Sequence, residues 1–412
     1  MTTRRLYYDD SFQDNFTAEV LSCQPMADPL AGQDSSCWGV LLDQTQLYPT
    51  SGGQPNDFGK LGEANVVDVR DLENGEILHV LDRPVPTGPI GGCIDWPRRF
   101  DHMQQHTGQH LLSAVFAERF GLPTASFHLG ESVSTIDLRG PQPSPQILEG
   151  VARAANAIVF EDREISIRYG TAEQFAKLGV RKQVERSGTL RAVEIAGIDF
   201  QPCGGTHVRR TGQIGTILLG GCSKIRQDWR VEFLCGRRAE AAARRDADLI
   251  ARVSAQLRCA TADLAGAVER LLGEREGAAR SLKALLPKLA ELEAASRLPS
   301  VAALPDGSQA VAEVLHGVGS EYLPHYATAL VRSENVVALL ALAETGALLF
   351  AQHPQAGRDM NRLLQKVLDE LGGKGGGTRD FARGALSDPS DAAAAVELAT
   401  SLLDQNRSVT SA

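Results

Sequence analysis

The chain has 412 residues, with 43% hydrophobic and 23% charged side chains, the make-up of a globular protein holding about two to four domains. A formal net charge of −9 excludes a surface that attracts nucleic acid as a whole, so any RNA contact has to come from local basic patches. Seven dispersed cysteines without a C-x-x-C pair exclude a disulfide framework, and the most apolar stretch, 335–350, is broken by Glu344 and too short to span a bilayer, so a cytoplasmic protein with no membrane partner is expected.

Short apolar or alternating runs at 37–42, 65–69 and 77–81, separated by Gly, Pro, Asn and Asp turns, predict a β-rich, barrel-like domain over 1–95. Inside it, Tyr48-Pro49-Thr50-Ser51-Gly52-Gly53-Gln54-Pro55 is either a plain turn or a loop whose backbone approaches a ligand. Met103, Leu112, Val115, Phe116 and Phe120 recur near helical spacing and predict a helix over 103–120. A loop at 121–130 follows, then a strand at 133–138 and a helix near 147–161. Strands at 165–169, 190–195, 215–219 and 230–234 complete a two-layer α+β domain over 96–238.

Leu249, Val253, Leu257, Leu264, Val268, Leu271, Leu282, Leu286 and Leu289 mostly keep helical spacing and predict a helical arm over 239–298, interrupted near 273–277. It is either a coiled-coil or dimer seam or a helix packed on its own domain. A C-terminal α/β domain over 299–412 should hold strands at 327–331 and 336–341 and a helix at 360–371. That helix runs into Gly372-Gly373-Lys374-Gly375-Gly376-Gly377, which is either a phosphate-contacting loop or a flexible surface loop. No Gly-Lys-Ser/Thr closes it, so it is not a P-loop.

Two short pairs carry the chemistry. His106-Thr107-Gly108-Gln109-His110 puts two imidazoles four positions apart on a helix, hence on one face about a turn apart. Cys203-Gly204-Gly205-Thr206-His207 is split by glycines and reads as a tight loop. Three imidazoles and one thiolate suit one zinc ion; ordinary hydrogen-bonded imidazoles and a small buried cysteine are the alternative. A zinc-protease helix is excluded, because Thr107 stands where that motif needs Glu. Candidate basic patches are Arg98-Arg99, Arg181-Lys182, Arg209-Arg210 and the run Lys224, Arg226, Arg230, Arg237, Arg238.

His-Thr-Gly-Gln-His-Leu-Leu at 106–112 and Cys-Gly-Gly-Thr-His-Val at 203–208 resemble the editing domain of alanyl-tRNA synthetase and its free-standing relatives, the AlaX proteins. The loop at 48–55 is similar to that family's Tyr-Pro-Glu-Gly-Gly-Gly-Gln motif, with Thr50 and Ser51 in place of Glu and Gly, so amino-acid specificity does not transfer with it. The glycine-rich tail, with Ala382 and Gly384, is similar to the DHH-associated C-terminal domain of alanyl-tRNA synthetases, which in that family helps hold the tRNA. Nothing before residue 96 resembles a class II aminoacylation core, which points to a long-form AlaX acting in trans.

The resemblance implies a zinc-dependent aminoacyl-tRNA deacylase that removes serine, and glycine, from the alanine tRNA. One zinc ion would sit on His106, His110, Cys203 and His207, with Thr107, Gln109 and Asp199 as supporting candidates. Candidate substrate contacts are Gly52, Gly53, Gln54, Ser126 and His128. Candidate tRNA contacts are Lys224, Arg226, Gly373, Lys374 and Gly375. A homodimer through the arm or the C-terminal domain is a further expectation. The rival readings are a threonyl-type editing hydrolase with the same ligand layout and a non-catalytic, zinc-stabilised tRNA-binding module.

Overall fold

A computed structural model describes residues 2–27, 36–178, 180, 188–304 and 307–405, and the chain divides into two compact units, Met1–Arg252 and Val253–Ala412. In the first unit, six strands close into a barrel in the order Asn15–Ala27, Ser36–Leu42, Ile77–Leu81, Ala64–Asp71, Gly59–Leu61 and Gly88–Ile94. Closure comes from Gly88–Ile94 pairing back onto Asn15–Ala27. Val20, Val40, Leu42, Val66, Val69 and Leu81 fill its interior, as the alternation of side chains along each strand requires.

The same unit contains the α+β part. Helices Trp96–Phe120 and Pro145–Phe160 accompany an antiparallel sheet in the order Ile217–Ile225, Asp228–Cys235, Ser134–Leu138, Thr124–Leu129. A second sheet joins Ile165–Gly170, Leu190–Ile195 and Asp199–Pro202. Leu112, Val115, Phe116, Val151, Ile158, Ile136, Val193 and Phe233 share one core. The first helix starts seven residues before the periodicity predicts. Asp95 caps it by accepting from the Arg98 N–H, and Pro97 sits in the first turn, both helix-start signals independent of apolar spacing. The segment 121–130, expected as a loop, holds the strand Thr124–Leu129 paired with Ser134–Leu138. Ala125, Phe127 and Leu129 share one of its faces.

In the second unit, five strands form a sheet in the order Gln309–Leu315, Val336–Leu342, Ala347–Gln352, Phe381–Leu386, Gly373–Gly377. Val336–Leu342 is buried along its whole length. Val337, Leu339 and Ala341 pack with residues of Met360–Leu371 and Ala392–Gln405, while Val336, Ala338, Leu340 and Leu342 pack with Tyr322–Leu330. Burial on both faces explains an apolar run without alternation.

Three expectations fail here. Residues 327–331 belong to the helix Tyr322–Leu330 and the residue capping it rather than to a strand; a short apolar run fits either state, and Tyr322, Leu323, Tyr326, Ala327 and Leu330 are its buried stripe. The arm is not interrupted at 273–277. The helix Leu264–Arg297 runs through those glycines and through Pro287, and the break falls at 257–263, where Arg258 is left-handed with φ 51°. Residues 373–377 are an edge strand, not a loop. A Cβ at Gly373, Gly375 or Gly377 would stand 2.4, 2.6 or 2.3 Å from the carbonyl oxygens of Ala385, Arg383 or Phe381, so glycine is what lets this strand lie on its neighbour. Among the described residues no helix is long and apolar enough to cross a membrane.

Candidate metal centre

His106 and His110 leave one face of the helix Trp96–Phe120, and Cys203 and His207 come from the turn after the strand Asp199–Pro202. One ligand atom from each converges, all four within 4.8 Å of one another. Cys203 Sγ lies 3.4 Å from His106 Nε2 and 3.3 Å from His207 Nε2. Tetrahedral zinc bonded to nitrogen and sulfur has ligand-to-ligand edges of about 3.5 Å. The donor set and its spacing therefore fit such an ion.

Each imidazole is turned by a partner behind it. His106 Nδ1 donates to Gln54 Oε1 at 2.8 Å, His110 Nδ1 to Asp199 Oδ2 at 3.1 Å, and His207 Nδ1 to Thr107 Oγ1 at 3.1 Å. A proton on each Nδ1 leaves the Nε2 atoms turned to the centre, where their lone pairs would meet a cation. Gln54 also accepts from the Thr206 N–H and donates to Thr206 Oγ1, so it staples His106 to the ligand turn. Gly205 is glycine because a Cβ there would stand 2.1 Å from His106 Cε1 and 3.0 Å from Gln54 Oε1.

The loop carrying Gln54 is itself anchored on the ligand helix. Arg99 pairs with Asp57, both side chains fully buried. Arg99 also donates to the carbonyls of Ser11 and Gln46, and Asp57 accepts from the Tyr48 N–H. Within the loop, Ser51 and Gln54 exchange two backbone hydrogen bonds around Gly52 and Gly53, with φ of 56° and 82°, the signature of a type I′ turn.

The electrostatics favour a cation. Burial raises the Cys203 thiol, but the His106 and His207 imidazoles outweigh it and hold the group well below its ordinary value. Burial pulls His110 down, yet its hydrogen bond to Asp199 and the Cys203 sulfur raise it to about 9. His207 falls to about 3, chiefly through burial. The thiolate and the Asp199 carboxylate thus both hold a proton on His110, and a divalent ion at the centre would take the place of the one on Nε2.

Thr107 and Asp199 lie behind the ligands, as the hydrogen bonds above show. Gln109 does not join them: its Nε2 donates to Ser113 Oγ at 2.7 Å. Gln54, expected as a substrate contact, is fully buried with its amide hydrogen-bonded to His106 and Thr206. Ser126 and His128 are not brought to the centre either. Their strand turns Phe127 toward it, with ring centroids 6.0 Å apart for Phe127 and His106, so the two neighbours take the opposite face, where Ser126 donates to Asp137 Oδ2. Gly53 lies against Phe127, since a Cβ there would stand 2.9 Å from Phe127 Cε2. Phe127 went unnoticed in the sequence, although its alternation with Ala125 and Leu129 was the available signal.

Most of the expected basic patches are tied up internally. Arg98 pairs with Glu131, Arg209 with Asp10, Arg210 with Asp162, Arg230 with Asp137 and Arg238 with Asp101. Arg181 and Lys182 lie outside the described residues. Lys224 and Arg226 are exposed on the hairpin Ile217–Ile225 and Asp228–Cys235, with the Lys224 ammonium 5.9 Å from the Trp229 ring centroid. Lys374 is exposed on the edge strand.

A helix-borne His pair facing a Cys-x-x-x-His turn beside a barrel is an arrangement that could hold one metal ion. Residues 190–230 match the model of the threonyl and alanyl tRNA synthetase second additional domain. The chain is 30% identical to the alanyl-tRNA editing protein AlaX-L of Pyrococcus horikoshii, over 92% of this chain and 94% of that one. It is 32% identical to the alanyl-tRNA editing protein Aarsd1 of Mus musculus, over 64% of this chain and 66% of that one. An alanine–tRNA ligase of Pyrococcus abyssi is 29% identical over 97% of this chain but only 44% of its own length. The chain belongs to the family of alanyl-tRNA editing proteins.

Proposed function

We propose that this protein is a trans-editing aminoacyl-tRNA hydrolase that deacylates the alanine tRNA mischarged with serine or glycine, at one zinc ion held by His106, His110, Cys203 and His207. The observation that carries the reading is the convergence of those four ligand atoms within 4.8 Å in a chain similar over nearly its whole length to an alanyl-tRNA editing protein. The chemical need is general. An alanine pocket cannot strongly reject the smaller glycine or a serine that adds only a hydroxyl, because the binding difference is about 1–3 kcal/mol. A second site that hydrogen-bonds the hydroxyl rejects alanine by leaving its own polar groups unpaired.

When bound, zinc supplies a Lewis acid that polarises the ester carbonyl or orients the amino acid and a water. The chain does the positioning. Gln54, Thr107 and Asp199 fix the three imidazoles. Phe127 stands on the side next to His106, with Gly53 against its ring. Lys224, Arg226 and Lys374 supply positive charge toward the tRNA backbone. A homodimer is part of the proposal. Leu271, Ala278, Leu285 and Leu292 repeat every seven residues along the helix Leu264–Arg297, with Leu282 and Leu289 between them, and all are exposed, the pattern of a coiled-coil seam.

The test is deacylation by the zinc-loaded protein of alanine tRNA carrying serine, glycine or alanine, beside threonine tRNA carrying serine. Release of serine and glycine from the alanine acceptor, with alanine retained, is the expected result. The Cys203→Ala variant should lose its zinc and the activity together. Stoichiometric zinc and tight tRNA binding without any release of amino acid would instead mark a binding module.

A further inference from the structure

The sheet formed by Ile165–Gly170 and Leu190–Ile195 delivers a second group of side chains to the ligand turn. Tyr169 and Arg191 are direct cross-strand partners, so they project from one face at the sheet's end. Arg191 Nη1 donates to the carbonyls of Cys203 at 2.7 Å and Gly205 at 3.0 Å. Its guanidinium lies 5.2 Å from the Tyr8 ring centroid. Its Nε and Nη2 are buried without a hydrogen-bond partner among the described residues, so it acts on a ligand through its field rather than by direct contact. Tyr8 approaches the ligand turn at Gly204, where an added Cβ would be 3.3 Å from the Tyr8 hydroxyl. Tyr169 donates from its hydroxyl to the Tyr8 carbonyl at 3.3 Å, and the residue is 56% exposed. Gly204, at the metal-centre end of this group, is exposed, and Cys203 is only partly buried.

An exposed aromatic ring backed by a second tyrosine and a guanidinium is the chemistry that holds unpaired nucleotides. Bases stack on the ring face, and the cation draws in the phosphate. We infer that Tyr169, with Tyr8 and Arg191 behind it, is the stacking platform for the unpaired 3′-terminal nucleotides of an RNA. The base lies on the Tyr169 ring, the phosphates lie in the field of Arg191, and the terminal ribose points past Gly204 toward the metal centre. The inference rests on the editing reading for its ligand. Its support is the continuity of the platform with the Cys203 turn and the charge complementarity to phosphate.

The probe is an uncharged acceptor-stem RNA hairpin ending in unpaired CCA, compared with the same hairpin lacking those three nucleotides. Binding to the full zinc-loaded chain is read by fluorescence anisotropy at one fixed salt concentration. The wild type should prefer the CCA-bearing hairpin, and Tyr169→Ala should remove most of that preference, a loss of about tenfold in affinity. Tyr169→Phe and Tyr169→Trp keep a ring and should keep the preference, which separates stacking from the hydroxyl's bond to Tyr8 and covers a Tyr169→Ala chain that fails to fold. With aminoacylated tRNA, the Tyr169→Ala loss should fall in KM rather than kcat. A wild type that binds both hairpins equally, or a Tyr169→Ala variant with wild-type preference, overturns the platform. So does a Tyr169→Ala variant whose only change is in oligomeric state, since the face would then serve a second copy. The two readings fail separately. A wild type that needs Tyr169 to bind CCA yet releases no amino acid sinks the hydrolase and leaves the platform standing; one that deacylates without any dependence on Tyr169 does the reverse.

Discussion

At Gly205, the space that a Cβ would take is filled by the His106 ring and the Gln54 amide; at Gly375, the same space is filled by the Arg383 carbonyl and the Gly384 backbone. Both glycines lie in glycine-rich runs, and both are glycine because something comes too close for a side chain. In the first case polar side chains from distant segments arrive, and a ligand cage forms. In the second a neighbouring strand arrives, and an edge strand forms. Glycine enrichment therefore reports close approach, while the identity of what approaches decides between a site and a sheet.

Substitutions can break this contrast in order of expected effect. Gly205→Ala should displace His106 and Gln54, weakening zinc affinity at least tenfold in chelator competition and suppressing deacylation with it. Arg99→Met attacks the far end of the same polar seam and leaves the buried Asp57 uncompensated. It should cost about 3–5 kcal/mol in denaturant unfolding of the first unit. The barrel's fully buried imidazole gives a pH-dependent counterpart. His79 sits between Thr45 Oγ1 and the Val40 carbonyl, and burial lowers it from 6.5 to about 4. The unfolded chain then binds the proton first on acidification. The contribution is complete above pH 6.5 and is lost as the pH falls toward 4, by at most about 3 kcal/mol. His79→Gln should flatten that part of a stability-against-pH profile relative to wild type.

On the sheet side, Gly375→Ala should cost about 1–3 kcal/mol in unfolding of the second unit, with zinc binding intact. Gly376→Ala is the control. A Cβ there meets nothing nearer than Asn361 Oδ1 at 4.0 Å, and the change should stay within about 0.5 kcal/mol. If Gly205→Ala binds zinc normally while Gly375→Ala does not, the contrast is wrong.

The four converging positions were readable because each pair is local: a four-residue step on a helix and a four-residue step across glycines survive any fold that keeps both elements. The strand Leu190–Ile195 and the helix Met360–Leu371 matched expectation to the residue, since apolar spacing and flanking turn residues agree there. What escaped the sequence is long-range. Gln54 works 152 positions from Thr206, and nothing near Gln54 announces that its amide is spent inside. Arg191 and Tyr169 meet only through strand pairing. The helix Tyr322–Leu330 was misread for a different reason: its apolar run is too short for period to separate helix from strand.

The staple made by Gln54 has a consequence for how this protein can be cut. A fragment beginning at residue 96 would retain every ligand side chain, yet His106 would lose the acceptor that fixes its tautomer, and the ligand turn would lose its hold on that ring. The geometry of the four converging side chains therefore depends on the barrel loop as much as on their own elements.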